Sequence, residues 1–291
     1  MSANVFILGK GFVGTHLNNI LKEEHSFFVN FASRKDVNYF DEILLKRYIR
    51  ESFHNNNSDI IFVNCSGYTG KPNVDACESN KEICLEYNTQ LPIFLSNFCD
   101  KYNYWLINVS SGCIFTGYEK EFTEEDIPNF GMFNPNSSFY SKTKHLAEAL
   151  VNKNTATTLR IRMPFCGYNS DRNYINKIIN YNNLVSFDNS MTSIDELAQF
   201  IRQFILNKYY KTDPGIYNVV NEGSLSGKDV VELLTNNNII NPNWKFVDID
   251  SLSLKANRSN CVLSTDKIKN LNLGLTNAKE AMDACIKQLS K

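Results

Sequence analysis

The chain predicts a doubly wound α/β fold, a parallel sheet covered by helices on both faces, followed by a smaller lobe. Three features carry this. Short β-rich runs alternate with helical patterns through the first half. The loop Gly9-Lys-Gly-Phe-Val-Gly14 directly follows the first run and opens the first helix, the context in which a G-x-G-x-x-G pattern marks a Rossmann dinucleotide site. Tyr140 and Lys144 stand four residues apart in a later helical segment, a spacing that puts both on one helix face.

In chain order, residues 5–8 form a first strand and 12–22 a first helix. Strands follow at 27–31, 60–64, 105–109 and 158–161, separated by helices at 41–52, 89–102 and 139–151. After Pro164 the pattern changes to longer helices at 194–206 and 227–234, with an isolated strand at 216–220. The expected division is a cofactor-binding domain over 1–164. Residues 165–291 then form mainly a substrate lobe, with room for segments that return to the first domain. No low-complexity linker separates the two, so the cleft is expected between them.

Composition excludes several classes of function. Thirty basic and 31 acidic side chains give a net charge of -1, so no broad field draws nucleic acid or an anionic membrane, and any anion must be held by local donors. The longest apolar runs, such as 5–8 and 60–63, fall far short of a membrane span. Residues 1–8 run into a strand pattern with no secretory signal. Eight cysteines (65, 77, 84, 99, 113, 166, 261, 285) make no C-x-x-C pair and the four histidines do not cluster with them. That fits a reducing compartment, with the cytoplasm as default, and no metal site is expected. Asparagine runs at 55–57 and 236–238 read as loop composition without function.

Gly9 and Gly11 let the backbone turn tightly and approach a pyrophosphate at the helix N-terminus, where Phe12 and Val13 begin the helix; Gly14 allows close packing. After the second strand, Ser33-Arg34-Lys35 stands where an NAD enzyme usually carries a carboxylate. Two cations and a hydroxyl suit a 2'-phosphate, so NADPH is the expected cofactor. Cys65, Ser66 and Gly67, after the third strand, and Met163 and Pro164, after the fifth, are assigned to the same site.

The chemistry expected at the strand ends is reduction of a carbonyl. A cation at Lys144 favours phenolate at Tyr140 and lowers its pKa toward working pH, as a general acid requires. Ser111 can donate a hydrogen bond to the same substrate oxygen, so ketone reduction needs these three side chains and a hydride. The Cys113 thiol, two residues on, is superfluous to that step and is a candidate acid or base.

Three blocks carry a family resemblance. They are Asn64-Cys-Ser-Gly-Tyr-Thr-Gly-Lys-Pro-Asn-Val-Asp-Ala-Cys-Glu78, the stretch from Gly112-Cys-Ile-Phe115 to Ser138-Phe-Tyr-Ser-Lys-Thr-Lys144, and the stretch from Leu159-Arg-Ile-Arg-Met-Pro164 to Asp195-Glu-Leu197. With Gly215-Ile-Tyr-Asn218 and Arg258-Ser-Asn260 they closely resemble nucleotide-rhamnose synthases. Those are bifunctional UDP-4-keto-6-deoxyglucose 3,5-epimerase/4-reductases of the extended short-chain dehydrogenase/reductase type. The resemblance implies a reductase triad of Ser111, Tyr140 and Lys144 and an epimerase pair of Cys113 and Lys177. It also implies substrate contacts from Lys71, Asn73, Gly112, Arg172, Asn173, Met191, Thr192 and Arg258, with Arg258 as a diphosphate contact. A UDP-sugar substrate supplied by a separate 4,6-dehydratase follows, as does a homodimer through the helices at 89–102 and 139–151. Residues 165–171 depart from the family pattern. Two other readings stand beside this one. A dTDP-4-dehydrorhamnose reductase would have no use for Cys113 and Lys177, and a regulatory nucleotide-binding subunit would have no need of Tyr140 and Lys144.

Overall fold

Six parallel strands form the main sheet in the order Phe27–Ala32, Ala3–Leu8, Ile60–Asn64, Trp105–Ser111, Ala156–Ile161 and Ile216–Asn218. The computed structural model describes residues 3–53 and 58–290; the asparagine run at 55–57 lies outside them. Every residue of Ala3–Leu8 and of Ala156–Ile161 is buried, as expected of strands covered on both faces.

Helices fill both faces. On one, Leu17 and Leu21 of the helix Phe12–Leu21 and Leu197, Phe200, Ile201 and Phe204 of Ile194–Leu206 pack with Val5, Ile7, Val63, Ile107 and Leu159. On the other, Leu45 and Ile49 of Glu42–Ser52 and Leu91, Leu95 and Phe98 of Leu91–Tyr102 pack with Phe6, Leu8, Phe62 and Leu106. Full burial of each such side chain contributes about 1.5–3 kcal/mol, so the two layers supply most of the drive to fold.

The expected elements form, with ends shifted by a few residues. Asp41 caps its helix from outside, accepting a hydrogen bond from the Leu44 N–H, rather than forming its first turn. The helix expected over 89–102 starts at Leu91 and is preceded by a π-helical turn at Glu86–Gln90. Residues 216–220 form a shorter strand, Ile216–Asn218, which joins the main sheet beside Ala156–Ile161.

The rest of the second half builds a cluster of its own. Phe165, Ile175, Ile178, Met191, Val230 and Leu234 pack there with Met282 and Ile286 of the last helix, Ala278–Leu289. Two short parallel pairs tie this region to the sheet ends, Pro164–Phe165 with Thr192–Ser193 and Gly117–Phe122 with Cys261–Leu263. Strand order reverses at Ala3–Leu8, with the second strand on one side and the third on the other. The crevice at that reversal, beyond the carboxyl ends of the strands, is where such sheets bind ligands.

Candidate active site

Gly9 and the loop after the third strand meet at this crevice. Gly9 has φ +101°, and a Cβ there would lie 2.7 Å from Ser66 Oγ, so the turn and the close approach both require glycine. Gly14 packs against the backbone, since a Cβ would fall 2.0 Å from the Gly9 carbonyl oxygen. Gly11 differs, because a Cβ on it would meet nothing within 4 Å. It is exposed and caps the helix Phe12–Leu21 without a side-chain hydrogen bond, leaving the first N–H groups of that helix for an anion.

Beyond the second strand, Arg34 is exposed and lies over the Tyr87 ring at 5.4 Å, its Nη1 donating to the Tyr87 hydroxyl at 3.2 Å. The Ser33 N–H and hydroxyl both donate to the Asp36 carboxylate, at 2.7 Å each, and Lys10 pairs with it at 3.0 Å. Those donors hold Asp36 down to about 2. The Ser33 donors are thus spent on a carboxylate of the chain, and beside them stands the exposed guanidinium of Arg34, one of whose donors goes to Tyr87. The exposed Arg34 fork, with the open glycine, fits a dinucleotide carrying a 2'-phosphate.

Cys65, Ser66 and Gly67 continue the floor, with Lys144 Nζ 3.4 Å from where a Gly67 Cβ would sit. Met163 has φ +38°, a left-handed conformation that costs a non-glycine residue roughly 1–2 kcal/mol, and it stands with Pro164 at the end of the fifth strand.

Three buried side chains converge on the carboxyl end of the fourth strand. Ser111 is 5% exposed, Lys144 6% and Tyr140 8%. The helix Phe139–Leu150 brings the last two there. Ser138 caps it by accepting from the Ser141 N–H, and Glu78 accepts the Phe139 N–H at 2.7 Å. Lys144 Nζ lies 5.9 Å from the centre of the Tyr140 ring.

The expected lowering of the phenol is not what the structure shows. Burial, and next the charge of Cys113, push Tyr140 upward, and the facing Ser111 side chain only partly opposes them. The amine is itself desolvated, and burial brings Lys144 down to about 8. Both groups are therefore held toward their neutral forms, and Tyr140 enters the cleft as a protonated donor.

Cys113 is half-buried and packs against the group formed by Tyr140, Cys77 and Cys84. Its N–H donates to Ser111 Oγ at 3.1 Å. Lys177, on the helix Tyr174–Asn180, is half-buried; burial and the Arg172 cation lower its pKa, while Cys113 acts on it in the opposite sense. Thiol and phenol thus pack together, and the amine interacts with the thiol through its charge.

Other expected contacts are occupied within the protein. Arg258 Nη1 donates to Asp75 at 2.8 Å and to the Ala256 carbonyl at 2.5 Å. Arg172 donates to Thr69 Oγ1 at 3.0 Å, and Lys71 is exposed. Asn73 accepts the Asp75 N–H at 2.9 Å. Asn173 is fully buried, capping its helix and donating to the Cys166 and Tyr168 carbonyls at 2.8 Å each, so its amide holds the divergent loop in place. Thr192 is fully buried and donates to the Val219 carbonyl at 2.8 Å, and Met191 lies in the C-terminal cluster. Gly112 is packed against Arg162.

Two residues not singled out in the sequence stand out here. Asn88, in the π-helical turn, accepts the Tyr68 N–H at 2.8 Å and donates to the Tyr68 carbonyl, Cys84 and Thr143, clamping the helix Phe139–Leu150 to the loop after the third strand. Arg162 is 1% exposed behind Gly112. A signal is present in the sequence, since arginines alternating with apolar residues in Leu159-Arg-Ile-Arg-Met, at an interior strand of the sheet, demand a reason.

Comparison with known proteins places this arrangement. The RmlD substrate binding domain matches residues 3–291. A bifunctional dTDP-4-dehydrorhamnose 3,5-epimerase/dTDP-4-dehydrorhamnose reductase of Arabidopsis thaliana is 35% identical over 232 residues, covering 75% of this chain and 73% of that protein. A trifunctional UDP-glucose 4,6-dehydratase/UDP-4-keto-6-deoxy-D-glucose 3,5-epimerase/UDP-4-keto-L-rhamnose-reductase of the same plant is 34% identical over 232 residues. The match takes in 75% of this chain and only 33% of that protein, so the chain spans about a third of that relative. The crystal structure of the UDP-rhamnose synthase from Acanthamoeba polyphaga mimivirus superposes with a TM-score of 0.86 at 28% identity, covering 99% of this chain and 100% of that one. The resemblance to nucleotide-rhamnose synthases read from the sequence blocks thus extends across the fold, and the chain belongs to the RmlD substrate-binding-domain family.

Proposed function

We propose that this chain is an NADPH-dependent oxidoreductase that reduces the 4-ketone of a nucleotide-linked 4-keto-6-deoxyhexose and inverts carbons 3 and 5 in the same cleft. The overall conversion is UDP-4-keto-6-deoxy-D-glucose to UDP-L-rhamnose. The observation that carries the reading is that buried Ser111, Tyr140 and Lys144 gather at one strand end with Cys113 among them and Lys177 within its electrostatic reach. A reductase alone needs the first three; inversion needs two further groups that exchange protons with the ring.

When bound, NADPH supplies the hydride. Gly9, Gly11, Phe12, Val13 and Gly14 would hold its pyrophosphate, and Arg34, with Ser33 once its donors turn from Asp36, its 2'-phosphate. Cys65, Ser66, Gly67, Met163 and Pro164 wall the site. Ser111 and Tyr140 donate to the C4 oxygen, which acidifies the hydrogens on carbons 3 and 5 and stabilises the enolate when one is removed. Cys113 and Lys177 take and return those protons from the two sides of the ring. Tyr140 then protonates the C4 oxygen as hydride arrives, with Lys144 fixing its orientation.

Residues 1–164 carry the cofactor and 165–291 mainly the substrate. Lys71, Asn73 and Arg172 line the sugar side, fully buried Met191 and Thr192 pack behind it, and Asn173 shapes the loop beside it. Arg258 exchanges part of its Asp75 contact for the diphosphate. The keto sugar comes from a separate 4,6-dehydratase. Residence in the cytoplasm and a homodimer through Leu91–Tyr102 and Phe139–Leu150 belong to the same reading. All eight cysteines are free, and no described helix is long and apolar enough to cross a membrane, which accords with it.

Replacing Cys113 with serine and incubating with the keto sugar and NADPH in deuterated water tests the assignment. Deuterium at carbons 3 and 5 is expected to fall by about a hundredfold or more, the scale of a lost acid/base group. Undiminished exchange removes the thiol from the mechanism and leaves a simple ketone reductase.

A further inference from the structure

Arg160 and Arg162 lie two residues apart, both 1% exposed, yet their charges are met differently. Arg160 donates to both Glu148 oxygens, at 2.6 and 2.9 Å, a neutralising fork. Arg162 pairs with no carboxylate among the described residues. Its Nη1 donates to the Gly112 carbonyl at 3.0 Å and to Ser259 Oγ at 2.9 Å. Its Nη2 donates to the Ser259 carbonyl at 3.1 Å and to the Asn189 side-chain oxygen, and its Nε has no partner. A buried charge without a counter-charge is expensive, so a protein that keeps one uses its field.

That field has a defined route. The Gly112 carbonyl that accepts from Arg162 belongs to the same peptide group as the Cys113 N–H, and that N–H donates to Ser111 Oγ at 3.1 Å. Cation, carbonyl, amide and hydroxyl form one chain in which each hydrogen bond polarises the next. A cation at the carbonyl end makes the amide a stronger donor. The amide in turn draws electron density from Ser111 Oγ and strengthens the Ser111 O–H as a donor. The register is tight, because a Cβ on Gly112 would lie 3.0 Å from Arg162 Cγ and 2.5 Å from Leu263 Cδ1, so no larger residue fits between.

We propose that Arg162 is a positioning residue that orients and polarises Ser111 through the Gly112–Cys113 peptide, and that it supplies the buried positive charge met when the substrate's C4 oxygen turns anionic. The inference rests on the reading of Ser111 as a donor to that oxygen.

The test is a double-mutant cycle on NADPH-dependent reduction, with NADPH affinity followed separately by fluorescence. Arg162→Met is expected to lower kcat about tenfold, part of the cost of losing one oxyanion donor, with KM and NADPH affinity within about twofold. Arg162→Lys, which keeps the charge, is expected to recover most of that loss. In a Ser111→Ala background the Arg162→Met effect should shrink to less than about twofold, because the relay has lost its end. Losses that multiply in the double variant, or a kcat held within twofold in Arg162→Met, overturn the proposal. If Ser111→Ala itself retains full kcat, it is the site reading that fails, a result distinct from the first two. Should Arg162→Met not fold, Ser259→Ala removes one acceptor that aims the guanidinium. A kcat loss of about threefold that vanishes beside Ser111→Ala is then expected, and no loss overturns the relay.

Discussion

The Lys144 amine sits 5.9 Å from the centre of the Tyr140 ring, one helical turn away, and both side chains are more than nine-tenths buried. The pairing is a cost to the folded chain before it is a benefit to chemistry. Among the described residues neither group has a counter-charge in hydrogen-bond contact, and burial drives the phenol up and the ammonium down. A bound substrate and cofactor provide the setting in which the pair works.

Lys144 therefore trades stability for function. Its pKa falls from 10.5 to about 8 on folding, so below pH 8 the folded state holds a charge it disfavours. The unfolded chain binds more protons between about 8 and 10.5, and this group's penalty is relieved as pH rises through that window. Lys144→Met is expected to stabilise the nucleotide-free protein by roughly 2–4 kcal/mol at pH 7, a gain that shrinks toward pH 10. NADPH oxidation should be lost at the same time. Urea unfolding at the two pH values checks this; a variant less stable than the parent at pH 7 contradicts it.

Two glycines of the same loop should separate folding from binding. At Gly14 a Cβ would collide with the Gly9 carbonyl at 2.0 Å, whereas at Gly11 it would meet open space. Gly14→Ala is expected to cost about 1–3 kcal/mol or more of stability through overpacking. Gly11→Ala should melt within a few degrees of the parent while NADPH affinity falls about tenfold or more, since the methyl enters the volume a pyrophosphate needs. Thermal melts and a fluorescence titration suffice, and equal melting temperatures for the two variants would count against this division.

Arg34 should set the choice of cofactor without affecting the fold. It is exposed, and its side-chain hydrogen bond to protein is to the Tyr87 hydroxyl. A charge-assisted hydrogen bond to phosphate contributes about 1.5–3 kcal/mol, so Arg34→Ala should reduce the preference for NADPH over NADH by roughly 10- to 150-fold. The comparison is kcat/KM with each cofactor, and an unchanged ratio would move the 2'-phosphate site elsewhere.

Periodicity and spacing are local quantities, and what they encode was legible. Strand and helix positions, the glycine turn between residues 8 and 12, and the shared face of Tyr140 and Lys144 follow from which positions are apolar and how far apart they lie. The ordered blocks of residues carried the family as well. The resemblance also singles out Cys113 and Lys177 as a pair, which spacing does not, since 64 positions separate their numbers.

Partnership and dielectric are different, because they depend on segments that meet only after folding. No spacing rule pairs Arg258 with Asp75, spends the Asn173 amide on the loop after Phe165, or leaves Arg162 charged and uncompensated behind Gly112. The phenol at 140 makes the point most clearly. One helix turn of sequence announced a cation next to it and hence a lowered pKa. Exclusion of water by the packed sheet and helix, with the charge of neighbouring thiols next, moved it the other way, and the Ser111 side chain only partly opposes them.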